Sequence, residues 1–261
     1  GGLPGLSDRL GHLVRTNSES ILAVTLPDDT YQPSFDVAIS ASVHVSQDTH
    51  IEVVSYGERG NGIRYLFTQL TADGTRWTRP LKWLGAMLRH PVQALCTFDA
   101  RAWGRRTLML LVMQSLDNAI QFKARRTWWG GVRLQTCQDA EKPNPTFIAE
   151  GFEAARWLAR HTGGLAQSMV PEALANIPTT AHILGGVVIG ADVAHGVVDA
   201  QGRAFGYENL LVCDGSILPA NPGVNPSLTI TALAEHVMGA VPAKNKSNTG
   251  IKTLMQKEET S

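Results

Sequence analysis

The stretch of residues 207–240, YENLLVCDGSILPANPGVNPSLTITALAEHVMGA, constrains most strongly what this chain can fold into. The apolar residues 210–213 predict a short strand in a buried parallel sheet, ending on the acid and glycine of residues 214–216. A helix is predicted to follow, with Asn225 as its N-cap and Pro226 at its first position. Because a helix N-terminus favours negative charge, the stretch predicts an anion site at the end of a sheet.

Composition excludes several classes of function. Basic and acidic residues balance at 23 each, so no general attraction to nucleic acid is expected. Cys96, Cys137 and Cys213 lie far apart and form no CxxC pair, which argues against both a disulfide framework and a zinc site, and no metal is predicted. The sequence contains neither a membrane-spanning apolar run nor a signal-peptide pattern, which favours a cytoplasmic or peripheral-membrane location.

The residues before this stretch predict an antiparallel sheet covered by helices. Apolar and β-branched segments indicate strands, and a helical apolar repeat indicates one amphipathic helix. The strands are expected within residues 18–26, 36–45, 50–55, 107–116 and 119–123, and the helix within residues 146–162.

Residues 76–106 combine an apolar helical stripe with seven basic residues and a single acid, Asp99. A basic, tryptophan-bearing amphipathic segment can lie on an anionic membrane surface. The alternative is a solvated helical hairpin that covers a sheet. Both interpretations stay open at the level of sequence.

His182 stands shortly before Gly185 and Gly186, where the missing Cβ atoms let the backbone approach a flat ligand closely. A histidine and an asparagine, His182 and Asn225, facing one reacting oxygen could handle an alcohol proton. A purely structural histidine is the competing interpretation. A hydrolase triad of Ser216, His182 and Asp214 is a third, weakened because Ser216 lacks a GxSxG elbow and the acid is only two residues away.

Several segments resemble the carboxyl-terminal half of the glucose–methanol–choline (GMC) flavoprotein oxidoreductases, and within them the bacterial cholesterol oxidase-like branch. The segments are HILGG at 182–186, residues 196–238 and LVRTNSESI at 13–21, and the resemblance covers most of residues 3–240. It implies the cofactor FAD and a small-molecule alcohol substrate, a sterol in this branch. It departs from the common family pattern at Ile183 and Val187.

The resemblance also implies roles for individual residues. His182 and Asn225 would lie over the flavin ring and bind the substrate hydroxyl, and Asn225 and Pro226 would direct the helix at the flavin's pyrimidine end. Asp214 and Gly215 would contact the ribityl-phosphate arm, and the glycine pair 185–186 would line the cofactor.

Sterol oxidases of this branch also use a glutamate to move the steroid double bond. Glu52, in the segment THIEVV at 49–54, is the candidate for this role. An outward-facing strand acid is the alternative interpretation of this residue.

The fold class expected is α+β or α/β. An antiparallel-sheet substrate domain with covering helices is joined to the closing strand and helix of a Rossmann-like FAD-binding domain. The expected parts are a connection at 1–20, the substrate-binding domain at 21–180, the FAD-binding and active-site elements at 181–240, and a polar, disordered tail at 241–261.

The family's GxGxxG unit for the dinucleotide phosphates does not occur in residues 1–261. The chain is therefore expected to be the second part of an enzyme and to require an amino-terminal FAD-binding part. The alternative is a non-catalytic lobe or truncated fragment unable to bind FAD by itself.

Overall fold

The computed structural model describes residues 3–28, 37–99 and 101–242. The predicted strand start at residue 36 and most of the predicted tail, residues 243–261, lie outside them. The strands in chain order are β1 (Arg15–Thr16), β2 (Ser20–Thr25), β3 (Ile39–His44), β4 (Thr49–Val54), β5 (Phe67–Gln69), β6 (Thr107–Gln114), β7 (Ile120–Arg126), β8 (Val132–Gln138), β9 (Leu165–Met169) and β10 (Ile183–Leu184). The α-helices are α1 (Thr78–Arg89), α2 (Pro91–Cys96), α3 (Trp103–Arg106), α4 (Ala149–Thr162), α5 (Val170–Ala175) and α6 (Ser227–Gly239), and two 3-10 helices span Glu58–Leu66 and Gly215–Ile217.

The largest sheet has six strands in the order β3-β4-β6-β2-β9-β5, and all of its pairings are antiparallel. The middle pair, β2 and β6, places Leu22 opposite Leu110 and Ser20 opposite Val112. Both strands are almost entirely buried, since apolar clusters pack on both faces of the sheet. The predicted antiparallel sheet is confirmed, with the 107–116 segment in its middle pair, whereas the strand predicted within residues 119–123 belongs to a separate sheet.

Helix α4 covers one face of this sheet. Its buried residues Phe152 and Ala155 join Leu22 and Leu110 in the main apolar cluster. The helix ends at Gly163, whose left-handed backbone (φ 67°) is the usual way to terminate a helix. The amphipathic helix predicted within residues 146–162 is therefore present, beginning three residues later than the predicted segment.

Two smaller sheets lie beside the large one. The hairpin β7–β8 forms one of them, and β1 pairs with β10 in the other, with Arg15 opposite Leu184 and Thr16 opposite Ile183. The β1–β10 pairing brings the segment before β2 next to residues 182–186. Two regions that are far apart in sequence thus meet at one place.

The predicted parallel strand at residues 210–213 is wrong. These residues are half-buried and join no named strand; Leu211 makes one antiparallel bridge with Arg203. A parallel strand needs neighbours of the same direction, and within the described residues the one parallel bridge joins Ile189 and Val198. The apolar run instead packs into a small cluster with Val198, Ile217 and α6.

Helices α1 and α2 cover the β5 edge of the large sheet, and Trp83 donates a hydrogen bond to Thr68 of β5 at 2.8 Å. Much of the predicted apolar stripe, however, faces solvent: Leu81 is 69% and Leu88 73% exposed, whereas Arg79 is fully buried. No helix in the described ranges combines the length and apolar character needed to cross a membrane.

Candidate active site

Three consecutive polar residues, Asn17, Ser18 and Glu19, occupy the connection between β1 and β2 and are almost completely buried. Ser18 has a left-handed backbone (φ 47°), an uncommon conformation for a residue other than glycine. Its hydroxyl lies 3.0 Å from Oδ1 and 2.7 Å from Nδ2 of Asn118, within hydrogen-bond distance of that side chain. This turn fixes the position of the two flanking side chains.

Glu19 contacts His182 directly. The Glu19 Oε1 atom is hydrogen-bonded to Nδ1 of the imidazole, and Oε2 accepts from the backbone N–H of Ala181 and lies 2.8 Å from the Thr180 hydroxyl. Glu19 is 2% exposed, and the His182 side chain is 16% exposed. The carboxylate therefore holds one side of the ring and leaves the other side, Nε2, without a hydrogen-bond partner among the described residues.

Asn17 links the histidine to the loop before α6. Its Nδ2 atom donates to the Val224 carbonyl at 3.0 Å and lies 3.4 Å from Nδ1 of His182. Val224 immediately precedes Asn225. The two predicted catalytic residues, His182 and Asn225, are thus connected through a single buried asparagine.

Asn225 does not cap the helix, contrary to the prediction. Helix α6 begins at Ser227 with Pro226 at the N-cap and no capping side chain, because the Asn225 amide is used elsewhere: its Nδ2 donates to Oε2 of Glu52 at 2.7 Å. The backbone N–H groups of Ser227, Leu228 and the next residue have no acceptor among the described residues. The amino end of α6 therefore stays open to an anion.

Glu52 lies on β4 and is 6% exposed, so the interpretation as an outward-facing acid is wrong. Besides Asn225, its carboxylate faces His50, whose Nε2 lies 3.6 Å from Oε1. The His50 ring stacks on His44, with centroids 4.6 Å apart. The structure therefore pairs Asn225 with Glu52 and His182 with Glu19, and Asn17 lies between the two pairs, 3.4 Å from His182 and bonded to the backbone of Val224.

The structure gives Gly185 and Gly186 a role in backbone packing rather than in the approach of a ligand. Gly185 and Gly186 both have positive φ angles (74° and 91°), and a Cβ on Gly185 would overlap the carbonyl oxygen of Leu13. A Cβ on Gly186 would come within 3.1 Å of the Val14 side chain. The pair lets residues 13–14 pack against the segment after His182, which places the histidine.

Asp214 and Gly215 serve local structure in this conformation. Asp214 is exposed, and its Oδ1 accepts the backbone N–H of Ser216 at 2.7 Å. A Cβ on Gly215 would come within 3.1 Å of both Ile230 of α6 and Leu184 of β10. Gly215 thus allows α6 to approach the strand that follows His182.

The geometry contradicts the hydrolase triad. Nδ1 of His182 is paired with Glu19, whereas Asp214 bonds within its own turn to the backbone of Ser216. No described hydrogen bond joins the Ser216 hydroxyl to His182. The acid that orients the histidine is therefore a residue that the triad did not include.

Sequence reasoning missed Asn17 and Glu19. The segment LVRTNSESI carries part of the family resemblance, but that resemblance gives neither residue a role. The available signal was three polar residues directly before the apolar strand β2, a position where burial requires partners.

A cavity of about 280 Å³ is lined by Glu19, Thr180, Ser18 and neighbouring residues. Another cavity, of about 810 Å³, lies against the β7–β8 hairpin and is lined by none of Glu52, Asn225, Asn17, His182 and Glu19. The smaller cavity is therefore the more relevant one.

The comparisons with known proteins agree with the resemblance seen in the sequence. Residues 132–234 match the family model of the GMC oxidoreductase carboxyl-terminal domain. Cholesterol oxidase of Acinetobacter baumannii is 40% identical over 245 residues, which cover 94% of this chain and 44% of that protein. Cholesterol oxidase of Mycobacterium tuberculosis strain H37Rv is 42% identical over 257 residues, covering 95% of this chain and 44% of that protein.

The chain thus spans less than half the length of these curated relatives. Among solved structures, pyridoxine 4-oxidase from Mesorbium loti superimposes with a TM-score of 0.44 at 13% identity, over 88% of this chain and 43% of that one. A likeness of that size supports no further conclusion. The family resemblance itself is confirmed by the family model and the two relatives.

Proposed function

We propose that this chain supplies the catalytic and substrate-binding part of an FAD-dependent alcohol oxidoreductase. The match of residues 132–234 to the GMC oxidoreductase family model supports this proposal. The proposed substrate is a 3β-hydroxysteroid, by analogy with the cholesterol oxidases that resemble this chain. The observation that carries the proposal is that Asn225 donates to the buried Glu52, while Asn17 lies 3.4 Å from His182 and bonds to Val224, the residue before Asn225. These contacts collect in one place the residue types that alcohol oxidation needs.

The residues fit a flavin at the amino end of α6. This 13-residue helix begins without a capping side chain, so its first N–H groups are free to face negative charge. Charge near a helix N-terminus is stabilised by about 0.3–1 kcal/mol, and by more when it is buried. Asn225 lies two residues before the first residue of this helix, and Asn17 contacts both its neighbour Val224 and His182.

Bound FAD would supply the hydride acceptor for the carbinol carbon and pass the electrons on, with oxygen as the proposed final acceptor. The free Nε2 of His182 would take the hydroxyl proton of the substrate. Asn225 uses one amide hydrogen on Glu52, and its second amide hydrogen would orient the substrate oxygen. Glu52, buried beside Asn225, would move the proton that shifts the steroid double bond.

Variants of His182 and Asn225 test this assignment. In a flavin-containing enzyme that includes this chain, His182→Ala and Asn225→Ala should each lower sterol turnover by about 100-fold or more while flavin stays bound. His195→Ala is the matched control, since His195 is exposed and pairs only with Asp192 and its own turn. Unchanged turnover in both site variants would refute the catalytic roles.

The alternative function is a non-catalytic lobe that does not hold FAD by itself. The observation that favours it is that residues 1–261 contain no GxGxxG unit for the dinucleotide phosphates. The visible spectrum of the purified chain separates the two possibilities. Near-stoichiometric flavin absorbance would refute the lobe, and a colourless protein that becomes coloured only with a separate dinucleotide-binding polypeptide would support it.

We also propose that α1 and α2 contact an anionic membrane from which a sterol is taken. Their apolar side chains point outward, as at Trp77, Leu81 and Leu88, and basic residues accompany them. Binding to anionic vesicles should weaken with salt and fall in a Leu81→Gln/Leu88→Gln variant, whereas Val193→Gln, at an exposed site outside these helices, should leave it unchanged. Vesicle binding that is absent, or equal in all three proteins, would rule this contact out.

A further inference from the structure

We infer that Glu19 is a positioning residue that fixes the tautomer of His182, with the proton on Nδ1 and the lone pair on Nε2. The inference rests on the proposed function in one respect, namely that Nε2 receives the substrate proton. The tautomer itself follows from the hydrogen bonds of Glu19 and can be tested without turnover.

The contacts of Glu19 are those of a carboxylate that accepts hydrogen bonds. Its Oε2 accepts the Ala181 N–H and the Thr180 hydroxyl, and its Oε1 faces His182 Nδ1. An ionised carboxylate can only accept hydrogen bonds, and the Ala181 N–H is a donor whose direction is fixed. Nδ1 of His182 must then be the donor of the third bond.

The consequence is at the other ring nitrogen. A neutral imidazole carries one N–H, so a proton held on Nδ1 leaves Nε2 as an acceptor. Nε2 has no hydrogen-bond partner among the residues that the structure describes, and the His182 side chain keeps 16% of its surface exposed. The free lone pair is therefore available to an entering hydroxyl group. If it takes a proton, the neighbouring carboxylate of Glu19 stabilises the resulting imidazolium.

Asn17 does not compete for this arrangement. Its Nδ2 lies 3.4 Å from Nδ1 of His182 but has a better acceptor in the Val224 carbonyl at 3.0 Å. Since Nδ1 carries the proton for Glu19, the Asn17 amide is directed to Val224. In this arrangement of hydrogens the Asn17 NH₂ group and the His182 Nδ1–H each have an acceptor, and Oδ1 of Asn17 is buried without a hydrogen-bond partner among the described residues.

A glutamine at position 19 should reverse the tautomer. The Ala181 N–H needs an acceptor at the place of Oε2, so the Gln oxygen should stay there, whereas the Thr180 hydroxyl also has the His182 carbonyl at 2.9 Å. The Gln amide group would then face Nδ1 as a donor. Nδ1 must become the acceptor, and the ring proton moves to Nε2.

The test is nitrogen NMR on the chain with ¹⁵N-labelled histidine, at mildly alkaline pH where free imidazoles are neutral. The His182 signals are identified by their loss in His182→Phe. In the unmodified chain, we expect a protonated Nδ1 and an unprotonated Nε2. In Glu19→Gln, Nδ1 should be unprotonated and Nε2 protonated. The control Glu235→Gln, at an exposed position of α6, should keep the protonation pattern of the unmodified chain.

Two outcomes would overturn the inference: an unmodified chain in which Nε2 carries the proton, or a folded Glu19→Gln variant with the original tautomer. The spectrum of the unmodified chain decides the matter even if Glu19→Gln fails to fold. These results concern only the ring of His182. They are separate from the turnover of His182→Ala, which tests the proposed function.

A second measurement distinguishes positioning from a merely structural role. In the flavin-containing enzyme, Glu19→Gln should lower kcat by about 100-fold or more with little change in KM, because substrate still binds but its proton has no acceptor. Glu19→Asp, which retains the carboxylate, should recover part of the loss. Equal losses in both variants, with the Nδ1–H tautomer intact in both, would refute the positioning role.

Discussion

Two buried glutamates in this protein differ in how well their charge is satisfied. Glu19 has hydrogen-bond donors on both oxygens, whereas Glu172 accepts from Ser20 at 2.8 Å through Oε1 and has no hydrogen-bond partner on Oε2. Arg79 lies 3.7 Å from that oxygen. An ion pair with Arg79 would by itself lower the pKa of Glu172. Burial outweighs this long contact and raises the pKa of Glu172 to about 7.

The raised pKa of Glu172 should make the stability of the protein depend on pH. Between about 4.5, the ordinary value, and about 7, the folded state holds a proton that the unfolded state has lost, so the free energy of unfolding should fall as pH rises through this window. The loss attributable to this group is on the order of 3 kcal/mol. Above the window, both states are ionised and the slope from this residue disappears.

Glu172→Gln should remove that slope, because the amide does not titrate. Denaturant unfolding of both proteins across this pH range measures the difference, with Glu153→Gln on the exposed face of α4 as the control. Identical slopes in the unmodified protein and Glu172→Gln would contradict a raised pKa at this site.

The sequence indicated the site residues to different degrees. His182, Asn225 and Glu52 could be identified because each lies in a segment with a strong local pattern or family resemblance, and the structure joins Asn225 directly to Glu52. Glu19 could not be assigned a role, since its partner His182 is 163 residues away. The N-cap prediction for Asn225 failed for the same reason, as a long-range partner outcompeted a local one.

At the scale of elements, local pattern was sufficient where one face had to be buried against the sheet. Strands β2 and β6 and helix α4 follow their periodicity closely, because the same apolar residues form the main cluster. The local pattern did not predict the buried face of α1. There Arg79 is buried through hydrogen bonds to Thr146 and Asn176, while Leu81 and Leu88 face outward. The apolar periodicity of a helix does not show which face is buried when polar groups of other segments bind a charged side chain such as Arg79.

Close packing between α4 and the sheet predicts that Gly151→Ala is destabilising. The added Cβ would come within 2.6 Å of the Val112 side chain, so the helix must shift. Overpacking costs about 1–3 kcal/mol, against at most about 1 kcal/mol gained in helix propensity. Gly85→Ala in α1, where nothing lies within 4 Å, should stabilise instead. Chemical denaturation of both variants checks the prediction, and a stabilised Gly151→Ala would contradict it.

The contact between Gly185 and residue 13 predicts a second effect on stability. Gly185→Ala combines a left-handed backbone with overlap on the Leu13 carbonyl, so it should lose more than the about 1–2 kcal/mol that left-handed strain alone costs. Gly130→Ala is the matched control, since its φ is similarly positive (83°) with nothing within 4 Å. Unfolding free energies compare the two, and equal losses would show that the overlap is relieved without cost.

At the scale of the whole molecule, the candidate site lies where the six-stranded sheet meets residues 181–240. The connections are the β1–β10 pairing, Asn17 on Val224, and Asn221, whose Nδ2 donates to the Gln114 carbonyl at 2.8 Å. The general architecture of an antiparallel sheet with a covering helix could be predicted. Its attachment to the second part could not, because these contacts join residues about 100 to 200 positions apart.

Arg15 is central to this attachment. It is 8% exposed, and its Nη1 donates to the Asn118 carbonyl and to Asp117 Oδ1, both at 2.7 Å. Its Nε donates to the Pro219 carbonyl at 3.2 Å. One guanidinium thus joins the end of the large sheet to the loop that leads to Asn225.

Arg15→Met should loosen that loop while leaving the sheet intact. Hydrogen bonds to charged groups contribute about 1.5–3 kcal/mol each, so amides in residues 218–224 should exchange hydrogen about 10-fold faster or more. Mass spectrometry of hydrogen exchange measures this, with β2 and β6 as internal references. Arg133→Met, on the exposed strand β8, is the control. Unchanged protection at 218–224 in Arg15→Met would mean that the β1–β10 pairing and the asparagine contacts hold the site together without the guanidinium.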